Sequence, residues 1–96
     1  MKRCYIVSYD ICDDRRLRRV AQKMEDFGTR LQYSVFRCEL TEVMRAKLEL
    51  ALKEIVNHRE DQVLFIDLGP APGRADECIT ALGRKYMTPP RGAIVL

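Results

Sequence analysis

The chain contains no tryptophan and a single histidine, and none of its four cysteines forms a CxxC pair. Zinc modules are built mostly from cysteine and histidine ligands at short spacings, so the sequence excludes that class of protein. No apolar run approaches the roughly 18 residues of a membrane-spanning helix, and no signal peptide is evident. We therefore expect a cytoplasmic protein with reduced thiols and no membrane partner. Cys4, Cys38 and Cys78 lie in apolar runs and are predicted to be core residues, whereas Cys12 is expected to be partly exposed.

What the sequence does contain is an ordinary globular composition with an uneven charge. The 96 residues are 47% hydrophobic and 32% charged, which predicts one small domain spanning residues 1–96. Residues 1–37 hold nine Lys/Arg and five Asp/Glu, whereas residues 38–96 hold eight and nine. The basic excess therefore lies in the first part of the chain and favours an anionic partner there, although a solvated basic face is the alternative.

Hydrophobic patterning predicts alternating strands and helices. A buried strand over residues 4–9 precedes a helix of about 15 residues capped by Asp13 or Asp14, with Gly28 at the C′ position. Residues 30–40 are strand-rich, and the alternation slips at the adjacent apolar residues Val35 and Phe36. Residues 32–34 are therefore either a break between two strands or a bulge in one. A second helix from the Thr41 cap to about Val56 precedes a strand at 63–68 and a loop at 69–73.

The end of the chain is less regular. Residues 78–82 fit either a short strand or a helical turn, and residues 92–96 form an apolar run that predicts a final strand. The order is that of an α+β, ferredoxin-like (βαββαβ) fold, an antiparallel sheet with two helices and an extra C-terminal strand. Such a strand suits exchange between the protomers of a homodimer.

An aspartate and a group of arginines lie where the first strand gives way to the first helix. Asp10 ends the apolar strand, and carboxylate oxygen is a preferred ligand of Mg²⁺. Helical periodicity places Arg16, Arg19 and Lys23 along one edge of the apolar stripe, where guanidinium groups suit phosphate recognition. The simpler alternative for Asp10 is a helix-capping role.

The same residues carry a family resemblance. Tyr9-Asp10-Ile11, Asp13-Asp14 and Arg16, followed by Arg30-x-Gln32-x-Ser34-Val35-Phe36, resemble the CRISPR-associated protein 2 family. The similarity is best over residues 3–40 and continues weakly through residues 41–68. A related toxin family, which resembles virulence-associated protein D, shares the fold.

The resemblance implies a ferredoxin-like homodimer that acts in CRISPR adaptation (spacer acquisition). It implies a Mg²⁺-dependent (or Mn²⁺-dependent) endonuclease that cleaves RNA, DNA or both and that binds duplex DNA as the partner of the CRISPR-associated integrase. The alternative is a dimeric DNA-binding scaffold without catalysis. In either case binding through phosphates is expected to depend strongly on salt.

The resemblance also assigns roles to individual residues. Asp10 of each protomer is the expected catalytic metal ligand, because one carboxylate alone holds Mg²⁺ poorly. Tyr9 and Ser34 are expected to shape the site, and Phe36 is expected to pack at the dimer interface. Apart from the resemblance, Ser34 has no base nearby in the sequence, which favours a turn or strand contact over a nucleophilic role. The expected phosphate contacts are Arg16, Arg19 and Arg30, beside Lys23 on the same helix edge, with Arg15 and Arg18 offering other registers.

Overall fold

The computed structural model describes residues 1–87, and in them four strands form one antiparallel sheet. The elements are β1 (Lys2–Asp10), α1 (Asp14–Glu25), β2 (Thr29–Gln32), β3 (Val35–Leu40), α2 (Glu42–Ile55), β4 (Gln62–Ala71) and α3 (Ala75–Cys78). The strands run in the spatial order β2-β3-β1-β4, which is the order of the ferredoxin-like fold that the sequence predicts. Two helices connect strands, and the short α3 follows β4. The predicted strand at residues 92–96 lies outside the described residues.

Both long helices begin at the predicted caps. The Asp13 side chain accepts a hydrogen bond from the Arg16 backbone N–H at 2.9 Å, and Thr41 Oγ1 accepts one from Met44 N–H at 3.2 Å. These side chains satisfy backbone donors that the first helical turn leaves unpaired. The helices then pack on the same face of the sheet, and their buried residues are Val20, Met24, Leu48, Leu52 and Ile55.

The alternation of β1 divides the sheet into two faces. Tyr5, Val7 and Tyr9 point toward the helices and are buried. Because successive side chains of a strand point to opposite sides, Ser8 and Asp10 point to the other face. We call this second side the open face, and its central residues are Ile6, Ser8, Asp10, Val35, Leu64 and Ile66.

Part of the open face is covered by the chain that follows β4. Arg37 of β3 points to this side, yet its side chain is only 1% exposed. Its guanidinium donates to Asp76 of α3 at 2.6 Å and to the Tyr86 hydroxyl at 2.7 Å. A buried arginine is tolerated because these oxygen atoms replace the water that it loses. The segment from α3 to Tyr86 thus covers the β3 side and leaves the β1–β4 side accessible.

The structure settles the alternatives left open for residues 30–40 and 78–82. The first segment is two strands, with Tyr33 and Ser34 in the turn between β2 and β3. In the second segment only Cys78 is helical, as the last residue of α3, and residues 79–82 are irregular.

Three details of the sequence interpretation are wrong. The strand predicted at 63–68 continues to Ala71, and Pro70 fits there because β4 is an edge strand with no outer neighbour among the described strands. Cys78 is exposed, whereas Cys4 and Cys38 are buried and Cys12 is exposed as predicted. Gly28 is not a C′ residue, because α1 ends three residues earlier and Gly28 lacks a positive φ. It is needed for space, since a Cβ there would lie 2.5 Å from the Arg37 carbonyl oxygen.

Candidate functional site

Asp10 occupies the end of the central strand on the open face. It is the last residue of β1, it is exposed, and its register partner on β4 is Gln62. Among the described residues, its carboxylate makes no hydrogen bond or ion pair. The fold therefore presents a charged oxygen donor to solvent without neutralising it, which does not fit a purely capping role; the N-cap of α1 is Asp13.

Tyr9 and Phe36 lie beneath Asp10, on the helix side of the sheet. Their rings stack at a centroid distance of 6.2 Å, and Phe36 is fully buried. Burial raises the pKa of the Tyr9 hydroxyl, which has no hydrogen-bond partner among the described residues. The dimer-interface role of Phe36 and the site-shaping role of Tyr9 stay predictions, but both rings support the site from the core and not from its exposed side.

Ser34 contributes through its backbone. Its carbonyl oxygen accepts a hydrogen bond from the Tyr9 backbone N–H at 3.1 Å, from the turn that joins β2 to β3. This bond extends the pairing of β1 and β3 by one step toward Asp10. Ser34 therefore lies in a turn and contacts β1 through its backbone carbonyl. Its site-shaping role stays a prediction.

A second acidic residue near this site, Asp61, did not emerge from the sequence. Its side chain is fully buried, and it lies in the turn between α2 and β4. Oδ1 accepts from the Cys12 backbone N–H at 2.9 Å, and Oδ2 accepts from the Asn57 backbone N–H at 2.8 Å. One carboxylate therefore joins the loop after β1 to the turn before β4.

Arg16 binds this same carboxylate in a bidentate manner. Its Nε lies 2.8 Å from Asp61 Oδ2 and its Nη2 lies 3.3 Å from Oδ1, while Nη2 also donates to Glu60 Oε1 at 3.1 Å. The Arg16 side chain is only 23% exposed as a result. The expected phosphate contact by Arg16 stays a prediction, but the guanidinium is already engaged by two carboxylates.

The Arg16 contact also makes the stability of the fold dependent on pH. The hydrogen bond from Arg16 lowers the pKa of Asp61 to about 2, assisted by the Asn57 and Cys12 amides and opposed by burial. An unfolded aspartate titrates near 3.9. Because the folded pKa is the lower one, the contribution of Asp61 to stability is present above pH ~4 and is lost as pH falls toward 2.

We therefore expect unfolding near pH 3 to be accompanied by uptake of up to roughly one proton at Asp61. Chemical unfolding of wild type and Asp61→Asn at several pH values between 2.5 and 6 measures this uptake. The wild-type free energy of unfolding should fall more steeply on acidification than that of the variant. Parallel curves for the two proteins would contradict the assignment.

Some of the other cations predicted to contact phosphate already lie near a carboxylate of the same chain, and others do not. Lys23 Nζ lies 3.9 Å from Asp26, and Arg30 Nη2 lies 3.5 Å from Glu25, with its guanidinium 4.9 Å from the Phe36 ring centroid. Three exposed arginines of α1 have no ion-pair partner among residues 1–87. They are Arg15, Arg18 and Arg19.

Asp10 supplies the right kind of ligand for a hard divalent cation but too few of them. No group of three or more His, Cys, Asp or Glu side chains that could hold a metal ion occurs within the described part of one chain. Mg²⁺ demands near-octahedral oxygen ligation and usually keeps several waters around one or two carboxylates. The donor chemistry of Asp10 therefore fits such an ion, and a second carboxylate ligand would come from outside the described residues of one chain.

An apolar patch lies on the open face beside Asp10. Leu64 is 48% exposed and Ile66 is 46% exposed, although both belong to a strand. They are register partners of Ser8 and Ile6 on β1, so they form one surface with that strand. Exposed apolar side chains grouped in this way are typical of a protein–protein contact.

Comparison with known proteins identifies the family to which this architecture belongs. The family model described as "CRISPR associated protein Cas2" matches residues 3–71, which is most of the chain. The chain belongs to the Cas2 family. This confirms the resemblance seen in the sequence, and the match covers Asp10, both long helices and all four strands.

Relatives in the Cas2 family include proteins that are similar to this chain over all or most of their length. A protein of Geobacter sulfurreducens named "CRISPR-associated endoribonuclease Cas2" is 44% identical over 96 residues, covering 100% of both chains. A Rhodospirillum rubrum protein, "CRISPR-associated endoribonuclease Cas2 1", is 36% identical over 96% of this chain and 89% of its own length. Both names describe nucleases that act on RNA.

Solved structures confirm the Cas2 fold. Streptococcus pyogenes Cas2 at pH 6.5 superposes with a TM-score of 0.70 at 28% identity, covering 83% of this chain and 99% of that one. A hypothetical protein of Thermus thermophilus, TT1823, gives a TM-score of 0.76 at 30% identity, covering 91% of this chain and 98% of that one.

In the described residues, no helix is long and apolar enough to cross a membrane.

The sequence interpretation missed Asp61 because its partners are distant in the chain. Cys12 and Arg16 lie 49 and 45 residues away from it, and no local periodicity connects such positions. The run from Asn57 to Asp61 is polar, and its composition indicates only a turn. The i, i+4 spacing of Asn57 and Asp61 was the one local signal, and it predicts a side-chain contact with the backbone of the turn.

Proposed function

We propose that this chain is a metal-dependent endonuclease that acts on phosphodiester bonds as a homodimer. The observation that carries the proposal is the exposed, unpaired carboxylate of Asp10 at the end of β1, in a family whose relatives are named endoribonucleases. RNA is the substrate class that those names favour. The same chemistry supports DNA as a second substrate class, because the scissile group in both is a phosphodiester.

The homodimer is needed to complete the metal site. Leu64 and Ile66 offer an apolar contact on the face to which Asp10 also points. A second copy docked there about a two-fold axis brings its own Asp10 to the same interface, because such an interface uses the same patch on both subunits. Two carboxylates then face one ion.

Each group has a defined task in this arrangement. The two Asp10 carboxylates hold Mg²⁺ or Mn²⁺, which when bound polarises the scissile phosphate and activates water for attack. The exposed arginines of α1, with Arg19 foremost and Lys23 beside it, attract the phosphate backbone without reading sequence. Arg30 extends that basic surface at the start of β2.

In the cell, we place the protein in CRISPR adaptation, as the dimeric partner of the CRISPR-associated integrase on duplex DNA. Membership of the Cas2 family supports this role. A scaffold that binds DNA without cutting it is the second candidate, and the unpaired cations of α1 favour it because they need no metal to bind phosphate.

The experiment that separates the two candidates is a cleavage assay on single-stranded RNA, single-stranded DNA and duplex DNA. We expect cleavage in Mg²⁺ or Mn²⁺, none in excess chelator, and a rate that rises with pH as activated water ionises. Sedimentation of the same preparation measures the number of chains. Cleavage that persists in chelator would contradict the metal mechanism, and salt-dependent binding with all three nucleic acids intact would favour the scaffold.

A further inference from the structure

The carboxylate of Asp61 is fully saturated by groups that surround the Asp10 loop. An ionised carboxylate has about four acceptor positions. Here they are taken by the Cys12 and Asn57 backbone amides and by two nitrogen atoms of Arg16. A fully occupied acceptor of this kind is a rigid joint, since any displacement breaks several of these hydrogen bonds at once.

The residues that this joint holds lie on both sides of Asp10, along β1 and across to β4. Asp10 makes no side-chain hydrogen bond among residues 1–87, so its direction depends on the backbone on either side of it. Cys12, two residues later, is held by Asp61, and Gln62, the register partner of Asp10, directly follows Asp61 in the chain. The Cys12 thiol adds a second tie by donating to the Glu60 carbonyl oxygen at 2.9 Å.

We propose that Arg16 and Asp61 are positioning residues for Asp10, and that Arg16 acts through Asp61 and not as a phosphate contact. This inference rests on the proposed function of Asp10. The local charge supports it: Arg16 lies against Asp61 and Glu60, so the three side chains together carry one net negative charge. Such a group repels phosphate, whereas Arg19 on the same helix is exposed and unpaired among the described residues.

The two roles predict opposite responses to the variant Arg16→Gln. A positioning role lowers kcat, by about 10-fold or more, because misplacement of a catalytic group by about 1 Å costs up to 100-fold. The dissociation constant for an RNA or duplex DNA oligonucleotide in chelator, and its salt dependence, stay within twofold of wild type. A phosphate contact instead weakens binding and makes the salt dependence shallower by about 0.7 to 0.9 in log–log slope.

Arg19→Gln is the matched comparison, since it removes the same charge from the same helix. We expect it to weaken binding and reduce the salt slope. Arg16→Lys adds a second test, because lysine keeps the charge but lacks the fork that bonds both Asp61 oxygens. Under the positioning role, Arg16→Lys is nearly as impaired in kcat as Arg16→Gln; rescue of kcat by lysine would overturn the proposal.

Amide hydrogen exchange reports on the joint without requiring hydrolysis. The Cys12 and Asn57 amides should exchange at least 10-fold faster in Arg16→Gln and in Asp61→Asn than in wild type. Asp61→Asn keeps one carbonyl acceptor and is the milder variant if Arg16→Gln unfolds. If wild type cleaves nothing, the proposed function fails, whereas unchanged amide exchange or a shallower salt slope in Arg16→Gln overturns the present inference.

Discussion

Asp10→Asn is expected to abolish cleavage while leaving the fold intact. The substitution keeps the size of the side chain and removes the charge that attracts a divalent cation. Because two copies act on one ion in the proposed dimer, both ligands are lost together. Loss of a residue that only supports a metal ligand typically costs about 10- to 100-fold in activity. Because Asp10 is itself the proposed ligand, we expect the metal-dependent rate to fall by more than about 100-fold.

The measurement is the initial rate of RNA cleavage at several Mn²⁺ or Mg²⁺ concentrations, with the melting temperature of each protein. The melting temperature should not change, because the Asp10 carboxylate makes no bond within residues 1–87. Asp14→Asn is the matched control: it removes an exposed carboxylate four residues away, in the first turn of α1. Equal loss in both variants, or full activity of Asp10→Asn, would contradict the proposed site.

Ile66→Asp is expected to convert the dimer to a monomer and to remove activity with it. Ile66 lies on the accessible β1–β4 side of the open face, opposite Ile6. A carboxylate placed in the proposed apolar contact loses its water without gaining a partner, and the penalty for burying such a charge is several kcal/mol. A dissociation constant raised at least 100-fold corresponds to only about 2.7 kcal/mol, so sedimentation at micromolar concentration should show the change.

Leu50→Asp is the matched control for this substitution. Leu50 lies on α2, on the opposite side of the sheet, and is 63% exposed. It receives the same charge and loses a similar apolar side chain, so it should remain dimeric and active. Ile66→Thr preserves β-branching and tests the contact with little effect on the strand itself. If Ile66→Asp stays dimeric, the subunits associate through another surface.

Much of the fold could be predicted from the sequence because its signals are local. Asp13 and Thr41 are good cap residues beside apolar stripes, and both cap the helices that the sequence predicts. The order of strands and helices along the chain predicts a ferredoxin-like fold, and the structure has the strand order β2-β3-β1-β4 of that fold. Asp10 was likewise predicted at a strand end, where it lies.

The sequence errors concern features that depend on neighbours across the fold. Position 28 requires glycine because β3 passes too close to leave room for a Cβ atom. Its location near the end of a helix does not indicate this contact. Pro70 looks like a loop residue, yet it continues β4 because that strand lies at the edge of the sheet. Cys78 lies in an apolar run but is exposed, since α3 buries only Ala75.

The sequence by itself determined the order of elements, the family, and the placement of one carboxylate at the end of a strand. These follow from residue identity and from periodicities of two and 3.6, which act over a few neighbouring residues. Only the tertiary structure decided that Arg16 faces Asp61, because that pair joins α1 to the turn before β4, 45 residues away in the chain. In the sequence, Arg16, Arg19 and Lys23 look like equivalent cations on one helical edge. The turn after α2 makes Arg16 different, because its carboxylates Glu60 and Asp61 bind that guanidinium.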